Sequence, residues 1–262
     1  MDLLQAQFEA RQAKKPYALV TLVKAEGAAP RGAGSKMIVF ENGHSFGTIG
    51  GGVLEKKVLA DAVECLRDGR AILKDYENRA AEEGSPCIGV ATVFIDPEKG
   101  APQLVVCGTG HVGGAVIELA SKLGYYVTAI DTRDEELTAN HAKNADRFIT
   151  VKDFYTGLHS LDTAPKSFFL VSTYGHAEDA EALCAALEKG AVYIGMTGSR
   201  QKIEAIFSKL KDKGFTDEQL AFIHTPVGLD IGGETPTEIA LSIMAEMQMT
   251  RYDRTGRKGR ER

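Results

Sequence analysis

The strongest constraint on the fold is a glycine-rich turn near the middle of the chain. It spans Gly108–Gly113 with the sequence GTGHVG, follows a short apolar strand and opens an amphipathic helix. Asp131 closes the next strand, eighteen residues beyond the last of these glycines. In dinucleotide-binding sheets such glycines permit the turn, the approach of a pyrophosphate and the packing of helix on strand, while the acid accepts ribose hydroxyls. The pattern therefore predicts a Rossmann-like sheet with a nucleotide site at Gly108, Gly110, Gly113 and Asp131.

The residues from 103 to 211 alternate between short, continuously apolar strands and amphipathic helices. This alternation is typical of a doubly wound parallel sheet. A final helix is predicted over Pro236–Met247, because Thr235 supplies an N-cap and Glu238 follows in the first turn. The C-terminal half is therefore expected to be a Rossmann-like domain.

The residues before this sheet follow a different plan. A helix pattern covers Met1–Arg11, the pair Asn42-Gly43 marks a hairpin, and helical periodicity follows Gly52. Two prolines and a glycine between apolar strands indicate a linker over Asp96–Pro102. The expected organisation is α/β: a mixed α/β domain over residues 1–98, a Rossmann-like domain over 102–249, and a disordered basic tail over 250–262.

Charge and composition exclude several classes of protein. The net charge is −5 although the last thirteen residues contribute +4, so the rest carries −9. An acidic body argues against nucleic-acid binding by the whole protein, and the basic tail either contacts nucleic acid or an acidic partner or is a solvated end. Apolar runs fall short of the ~20 residues of a membrane span and the N-terminus lacks a secretory pattern, so we expect a cytoplasmic protein with no membrane partner. Four cysteines without a CxxC pair indicate neither a zinc site nor disulfides.

A second glycine cluster, Gly47–Gly52, leads directly into a predicted helix. Backbone N–H groups of Gly50, Gly51 and Gly52, together with the helix dipole, would cradle an oxyanion or a phosphate. Glu55 in the first turn either complements the dipole or takes part in the site. Arg31, in an upstream loop of small residues, either binds an anion or is solvated.

Taken together, these segments resemble the XdhC/CoxI family, accessory proteins of molybdenum hydroxylases such as xanthine dehydrogenase. In the N-terminal half the resemblance rests on the segments Ala29–Met37 and Gly47–Gly52, with Glu55, and on Cys87 before Gly89. In the C-terminal half it rests on Gly108–Gly113, His176 with Asp179, Gly195–Arg200 with Lys202, and the run Pro226–Pro236 followed by Glu238-Ile239-Ala240.

The resemblance implies a protein that binds molybdenum cofactor, protects it, assists its sulfuration with a cysteine desulfurase and inserts it into an apo molybdenum hydroxylase. Binding and hand-off, rather than turnover, would be its task. Molybdopterin carries a phosphate, dithiolene sulfurs and a hydrogen-bonding pterin, so the glycine cradle and Arg31 would be sensible contacts. A carrier that shields a labile ligand is also expected to be a homodimer.

Several candidate residues have more than one interpretation. Cys87 is either a soft ligand for the metal centre or a small buried side chain. Relatives often have a glycine where this chain has Ile88, and many have a cysteine where it has Val53. His111 either contacts a phosphate or caps its helix. His176, Ser199 and Arg200 follow strands of the parallel sheet and are expected at its carboxyl edge, where His176 is a proton carrier, a ligand or a helix-start hydrogen-bonding group.

The principal alternative function is an NAD(P)-dependent oxidoreductase that uses the glycine turn and Asp131. Its weakness is that no obvious hydride-transfer partner lies nearby, and Arg133 leaves the choice between NAD and NADP open. A third hypothesis is a nucleotide- or metal-storage module without a client enzyme. In the glycine-rich loop before the last helix, Asp230 and Glu234 either line a cleft between domains or, for Glu234, take part in the cap.

Overall fold

A computed structural model of the protein describes residues 2–27, 31–79, 88–163 and 167–257. The chain divides into two compact units, Met1–Ala101 and Pro102–Arg262. Among the described residues, no helix is both long enough and apolar enough to cross a membrane.

The N-terminal unit is built on a five-stranded antiparallel sheet. Its elements are α1 (Leu3–Gln12), β1 (Tyr17–Glu26), β2 (Lys36–Phe40), β3 (Ser45–Gly47), α2 (Gly52–Asp68), β4 (Ile72–Arg79) and β5 (Ile88–Glu98). The strand order is β3-β2-β1-β5-β4. The Asn42-Gly43 hairpin lies between β2 and β3, where Gly43 has a positive φ that glycine adopts without strain.

Both faces of this sheet receive a helix. Leu54, Val58 and Ala62 recur every four residues along α2 and are buried against the strands. Ala6 and Ala10 of α1 pack on the opposite face. Because helices pack on both faces of the sheet, buried and exposed residues alternate less strictly along β1 than in a strand with one solvent-exposed face.

Three connections leave the N-terminal sheet at one edge. Met37 near the start of β2 pairs with Gly47 at the end of β3, so the loop before β2 and the glycine cluster after β3 emerge together. The end of β4 pairs with the start of β5 through Arg79 and Ile88, and the end of β1 pairs with β5 through Glu26 and Val90. We call this side of the sheet the cradle edge.

The C-terminal unit contains a six-stranded parallel sheet. Its elements are β6 (Gln103–Cys107), α3 (His111–Lys122), β7 (Tyr126–Asp131), α4 (Glu135–Ala142), β8 (Arg147–Thr150), α5 (Phe154–Ser160), β9 (Phe168–Val171), α6 (His176–Glu188), β10 (Tyr193–Met196), α7 (Arg200–Asp212), α8 (Asp217–Ala221), β11 (Ile223–His224) and α9 (Pro236–Tyr252). The order β8-β7-β6-β9-β10-β11 is the doubly wound Rossmann order 3-2-1-4-5-6. The predicted fold class is confirmed.

Two hydrophobic cores flank this sheet. One joins the strands to α3 and α9 through residues such as Val116, Ile117 and Ile243. The other joins them to α5, α6 and α7 through residues such as Leu158, Leu183 and Ile206. Strands buried on both faces account for the continuous apolar runs of β6 and β9 in the sequence.

The linker predicted over Asp96–Pro102 is shorter in the structure. β5 continues to Glu98, and Asp96 and Pro97 pair with Leu19 and Ala18 of β1. The pairing with β4 stops at Ile95, so Pro97 lies where β5 has one strand neighbour, a position that tolerates a missing N–H.

The tail expected over 250–262 begins inside a helix. α9 continues to Tyr252, and the guanidinium of Arg251 lies 5.2 Å from the ring centre of Tyr125 and 5.1 Å from that of Tyr252. Cation–π contact with two rings gives this arginine a structural role. Residues 258–262 lie outside the described part of the chain.

Candidate functional site

The glycine turn of the C-terminal unit lies at the carboxyl edge of the parallel sheet. Gly108 follows β6 with φ +93°, and a Cβ there would collide with the backbone of Ser172. A Cβ on Gly113 would collide with the carbonyl of Gly108. A Cβ on Gly110 would meet nothing within 4 Å. The first and third glycines are therefore required by backbone packing, and the second faces open space.

The loops after β6, β9 and β10 meet at this edge. Ser172 N donates to Cys107 O at 2.8 Å, and the hydroxyl oxygens of Thr197 and Ser172 are 3.2 Å apart. β6 and β9 are the neighbours between which the chain order reverses, the point where open α/β sheets bind ligands. The starts of α3, α6 and α7 thus lie at one edge, the position that the sequence predicts for His176, Ser199 and Arg200.

The two histidines begin helices without capping them. The N-cap residues of α3 and α6 are Gly110 and Gly175, and neither has a side-chain cap hydrogen bond. His111 is exposed, with its ring edge-to-face against His141 at a centroid distance of 5.1 Å, and His176 is exposed as well. The capping interpretation of His111 therefore does not hold, and His176 is likewise not the N-cap of its helix.

The residues at the start of α7 divide into a cap and an exposed cation. Ser199 is the N-cap, and its hydroxyl accepts a hydrogen bond from Lys202 N at 3.4 Å. Arg200 is the first helical residue and is exposed. Ser199 thus has a structural function here, whereas Arg200 presents its guanidinium to solvent.

Asp131 lies at the end of β7 and is almost fully buried. Oδ2 accepts from Thr109 N at 2.7 Å and from Thr109 Oγ1 at 2.8 Å, and Arg133 donates to both oxygens. Burial alone would raise the pKa of this carboxyl, but the hydrogen bonds from Arg133 and Thr109 outweigh it and hold the pKa well below its usual range. Asp131 therefore stays ionised and links the glycine turn to the end of β7 through its hydrogen bonds to Thr109.

A second buried carboxylate, Asp179, lies in the first turn of α6. Asp179 Oδ1 accepts from Thr173 N at 3.2 Å and Thr173 Oγ1 at 2.6 Å, and Oδ2 is paired with the ammonium of Lys202. Cys107 is fully buried, and desolvation together with the charges of Asp179 and Asp131 raises the pKa of its thiol. The sequence attached function to His176, whereas the ion pair of the buried Asp179 with Lys202 joins the starts of α6 and α7, the helices that follow β9 and β10.

In the N-terminal unit, residues of the glycine cluster Gly47–Gly52 bind the carboxylate of Glu55. Glu55 Oε2 accepts from Thr48 Oγ1 at 2.5 Å, Ile49 N at 3.2 Å and Gly51 N at 3.0 Å. Gly50 N donates to Thr48 Oγ1 at 3.1 Å. Burial would raise the pKa of Glu55, but these bonds lower it overall. Part of the predicted anion cradle is thus already occupied by a side chain from the first turn of α2.

What remains of the cradle lies at the start of α2. Gly50, Gly51 and Gly52 have φ values of 137°, 77° and 66°, a left-handed run that only glycine adopts readily. The first intrahelical bond runs from Glu55 N to Gly51 O, so the N–H groups of Gly52 and Val53 precede it. Val53 is 65% exposed, and added Cβ atoms on Gly51 and Gly52 would meet nothing within 4 Å.

Arg31 and Cys87 are the other two candidate residues of this unit. Arg31 is exposed in the loop before β2, at the same cradle edge as the glycine cluster. Cys87 lies outside the described residues, directly before β5 in the sequence. The remaining cysteines, Cys65, Cys107 and Cys184, are free and buried. Within the described ranges, no three His, Cys, Asp or Glu side chains form a cluster that could hold a metal ion.

The loop before α9 is fixed by two glutamates of that helix. Glu246 Oε2 accepts from Tyr193 Oη at 2.6 Å and Gly228 N at 3.0 Å. Glu238 accepts from Glu234 N at 3.0 Å and completes a capping box with Thr235. Glu234 therefore takes part in the cap through its backbone, and the side chains of Asp230 and Glu234 are exposed.

Comparison with known proteins covers both units. A model of the XdhC Rossmann domain matches residues 104–247, and a model of the XdhC and CoxI family matches residues 10–77. The crystal structure of a xanthine dehydrogenase from Bacillus halodurans has the same fold, with a TM-score of 0.52 at 20% identity over 98% of this chain and 97% of that one.

Sequence relatives give a consistent picture. The chain is 33% identical over 92% of its length to the uncharacterized protein YqeB of Escherichia coli K12, and 28% identical over 61% to a probable xanthine dehydrogenase subunit from Bacillus subtilis. It spans 44% and 46% of those two proteins. It is 24% identical over 95% of its length to the molybdenum cofactor insertion chaperone PaoD of E. coli K12, of which it covers 88%. With both of its units matched by models of one family, the chain belongs to the XdhC and CoxI family.

Proposed function

We propose that this protein is an accessory factor that binds molybdenum cofactor as cargo, protects it and inserts it into a xanthine dehydrogenase-type molybdenum hydroxylase. The observation that carries the proposal is the similarity to the insertion chaperone PaoD across 95% of this chain and 88% of that protein. The described side chains support binding rather than turnover, because the buried carboxylates at the sheet edge are consumed by structural hydrogen bonds.

At the cradle edge, Arg31 and the N–H groups that begin α2 would contact the cargo. Molybdopterin ends in a phosphate, which a guanidinium binds bidentately and a helix N-terminus favours through its dipole. Glu55 holds the loop in the shape that presents Gly52 and Val53. Cys87 would offer the soft thiolate that suits a sulfur-rich molybdenum centre.

At the carboxyl edge of the parallel sheet, side chains rather than backbone N–H groups are available for binding. His111, His176 and Arg200 are exposed at three helix starts, and Gly110 leaves space beside the first of them. These side chains would offer a separate set of contacts for an anionic or hydrogen-bonding group. Gly108, Gly113, Asp131 and Ser199 would support the site by holding the backbone.

The partners follow from this role. An apo molybdenum hydroxylase receives the cargo, and a cysteine desulfurase supplies the sulfur before transfer. We further propose that the factor works in the cytoplasm and that it forms a homodimer. Light scattering of the purified protein tests the homodimer directly.

The cargo-binding step is tested by purifying the protein from cells that make molybdopterin and quantifying the bound pterin. Arg31→Ala is expected to lower retention about tenfold, because one charge-assisted contact to phosphate is lost. The matched control is Arg67→Ala, which removes an exposed arginine at the far end of α2. Wild-type protein that retains no pterin, or equal loss in both variants, would count against the proposed site.

A further inference from the structure

The carboxylate that a Rossmann domain offers to a ribose is saturated in this protein. Asp131 accepts five hydrogen bonds, three on Oδ2 and two on Oδ1. A carboxylate has about four lone-pair directions, so no acceptor capacity remains. The side chain is also only 3% exposed.

Two of these bonds come from the guanidinium of Arg133. Nε donates to Oδ1 at 2.9 Å and an Nη donates to Oδ2 at 2.7 Å. This two-donor fork has the same pattern as the vicinal hydroxyls of a ribose, which would donate one bond to each oxygen of the acid. Arg133 lies two residues after Asp131, and its own N–H also donates to Oδ1 at 3.0 Å, which fixes the turn that brings the fork back.

The surroundings disfavour a phosphorylated ribose too. The positive charge that Arg133 brings to this corner is already paired with Asp131. Glu178 accepts from Thr132 Oγ1 at 2.9 Å, and its charge acts on Arg133 from α6. A 2′-phosphate would therefore meet two carboxylates and one neutralised cation.

We propose that Arg133 takes the place of the ribose diol and closes this subsite, so that the Rossmann domain does not bind NAD or NADP through Asp131. The nicotinamide dinucleotides that the glycine turn implies do not fit the acid end of the site. The inference concerns nucleotide selectivity and is independent of molybdenum cargo, so either proposal can fail without the other.

The test is calorimetric titration of the full-length protein with NAD+ and NADP+. Wild type is expected to show no saturable binding below about 1 mM. In Arg133→Ala, three of the five hydrogen bonds to Asp131 remain and acceptor capacity returns on Oδ1, so the affinity for NAD+ is expected to rise at least about tenfold over wild type. An analogue of NAD+ lacking the adenosine 2′-hydroxyl should bind this variant several-fold more weakly than NAD+ does.

The matched control is Arg147→Ala, which removes an exposed arginine from the neighbouring strand β8 and should gain no affinity. Thermal melts establish that the variants are folded, and Arg133→Gln replaces Arg133→Ala should the latter not fold. Micromolar binding of NAD+ or NADP+ to wild type would overturn the proposal. A folded Arg133 variant without gain, or with a gain indifferent to the 2′-hydroxyl, would overturn it as well.

Discussion

At the scale of single residues, two acidic side chains that the sequence marks for ligands bind the protein's own backbone. Asp131 holds Thr109 in the glycine turn, and Glu55 holds Ile49 and Gly51 in the cluster before α2. Their positions were predictable from motif spacing. Their partners were not, because the donors come from loop conformation and from Arg133, whose side-chain direction no spacing rule specifies.

The role of Glu55 leads to a prediction about stability. Glu55→Gln is expected to lower the free energy of unfolding by about 1–2 kcal/mol at pH 7, because charge-assisted bonds to two N–H groups and the Thr48 hydroxyl weaken at a half-buried site. Since folding lowers the pKa of Glu55, its contribution is present above the ordinary pKa of 4.5 and is lost as the pH falls through the lower folded value.

Urea denaturation of both proteins from pH 7 to pH 3 measures this effect. The difference between wild type and Glu55→Gln should be full near neutrality and shrink below pH 4.5. A difference that is constant with pH would show that the carboxylate does not hold the glycine cluster.

At the scale of elements, the long periodic helices and most of the short apolar strands were predictable, whereas three short elements were not. α9 begins at Pro236 with Thr235 as its N-cap, as the start signals predict. α5, α8 and β11 went unpredicted. They contain seven, five and two residues, too few for a helical or alternating period to emerge, and α5 forms because Phe154 and Leu158 are buried by their neighbours.

The tie between β10, β11 and α9 gives a prediction at this scale. Glu246 accepts from the buried Tyr193 hydroxyl and from Gly228 N, and lies 3.1 Å from His224 Nδ1. Glu246→Ala is expected to lower the free energy of unfolding by about 2–3 kcal/mol, because the Tyr193 hydroxyl loses its acceptor inside the fold.

The matched control is Glu118→Ala on α3, whose exposed partner is Lys122 one turn later. An exposed pair of this kind contributes only about 0.3–0.5 kcal/mol. Denaturation midpoints measured at pH 7 compare the two variants. Equal losses would mean that Glu246 is no more than a surface residue of its helix.

At the scale of the whole molecule, the two glycine clusters lie in two separately built units. One caps an antiparallel sheet and the other a parallel sheet, and family models match each unit. Periodicity and glycine placement predicted the Rossmann-like unit from the residues alone. For the antiparallel unit, the sequence predicted a mixed α/β domain but not the strand order, because the pairing of distant strands such as β1 and β5 leaves no local signal.

Delivery of molybdenum cofactor by this protein is tested by the activation of an apo molybdenum hydroxylase. Apo-enzyme of the xanthine dehydrogenase type is mixed with cofactor that has been sulfurated, with and without this protein, and the rate of hydroxylation is followed. We predict that the active fraction of the hydroxylase rises with the concentration of this protein until the protein and the apo-enzyme are present in equal amounts. Arg31→Ala is expected to reduce this rise. A protein that leaves the active fraction unchanged while retaining no cofactor would contradict the account.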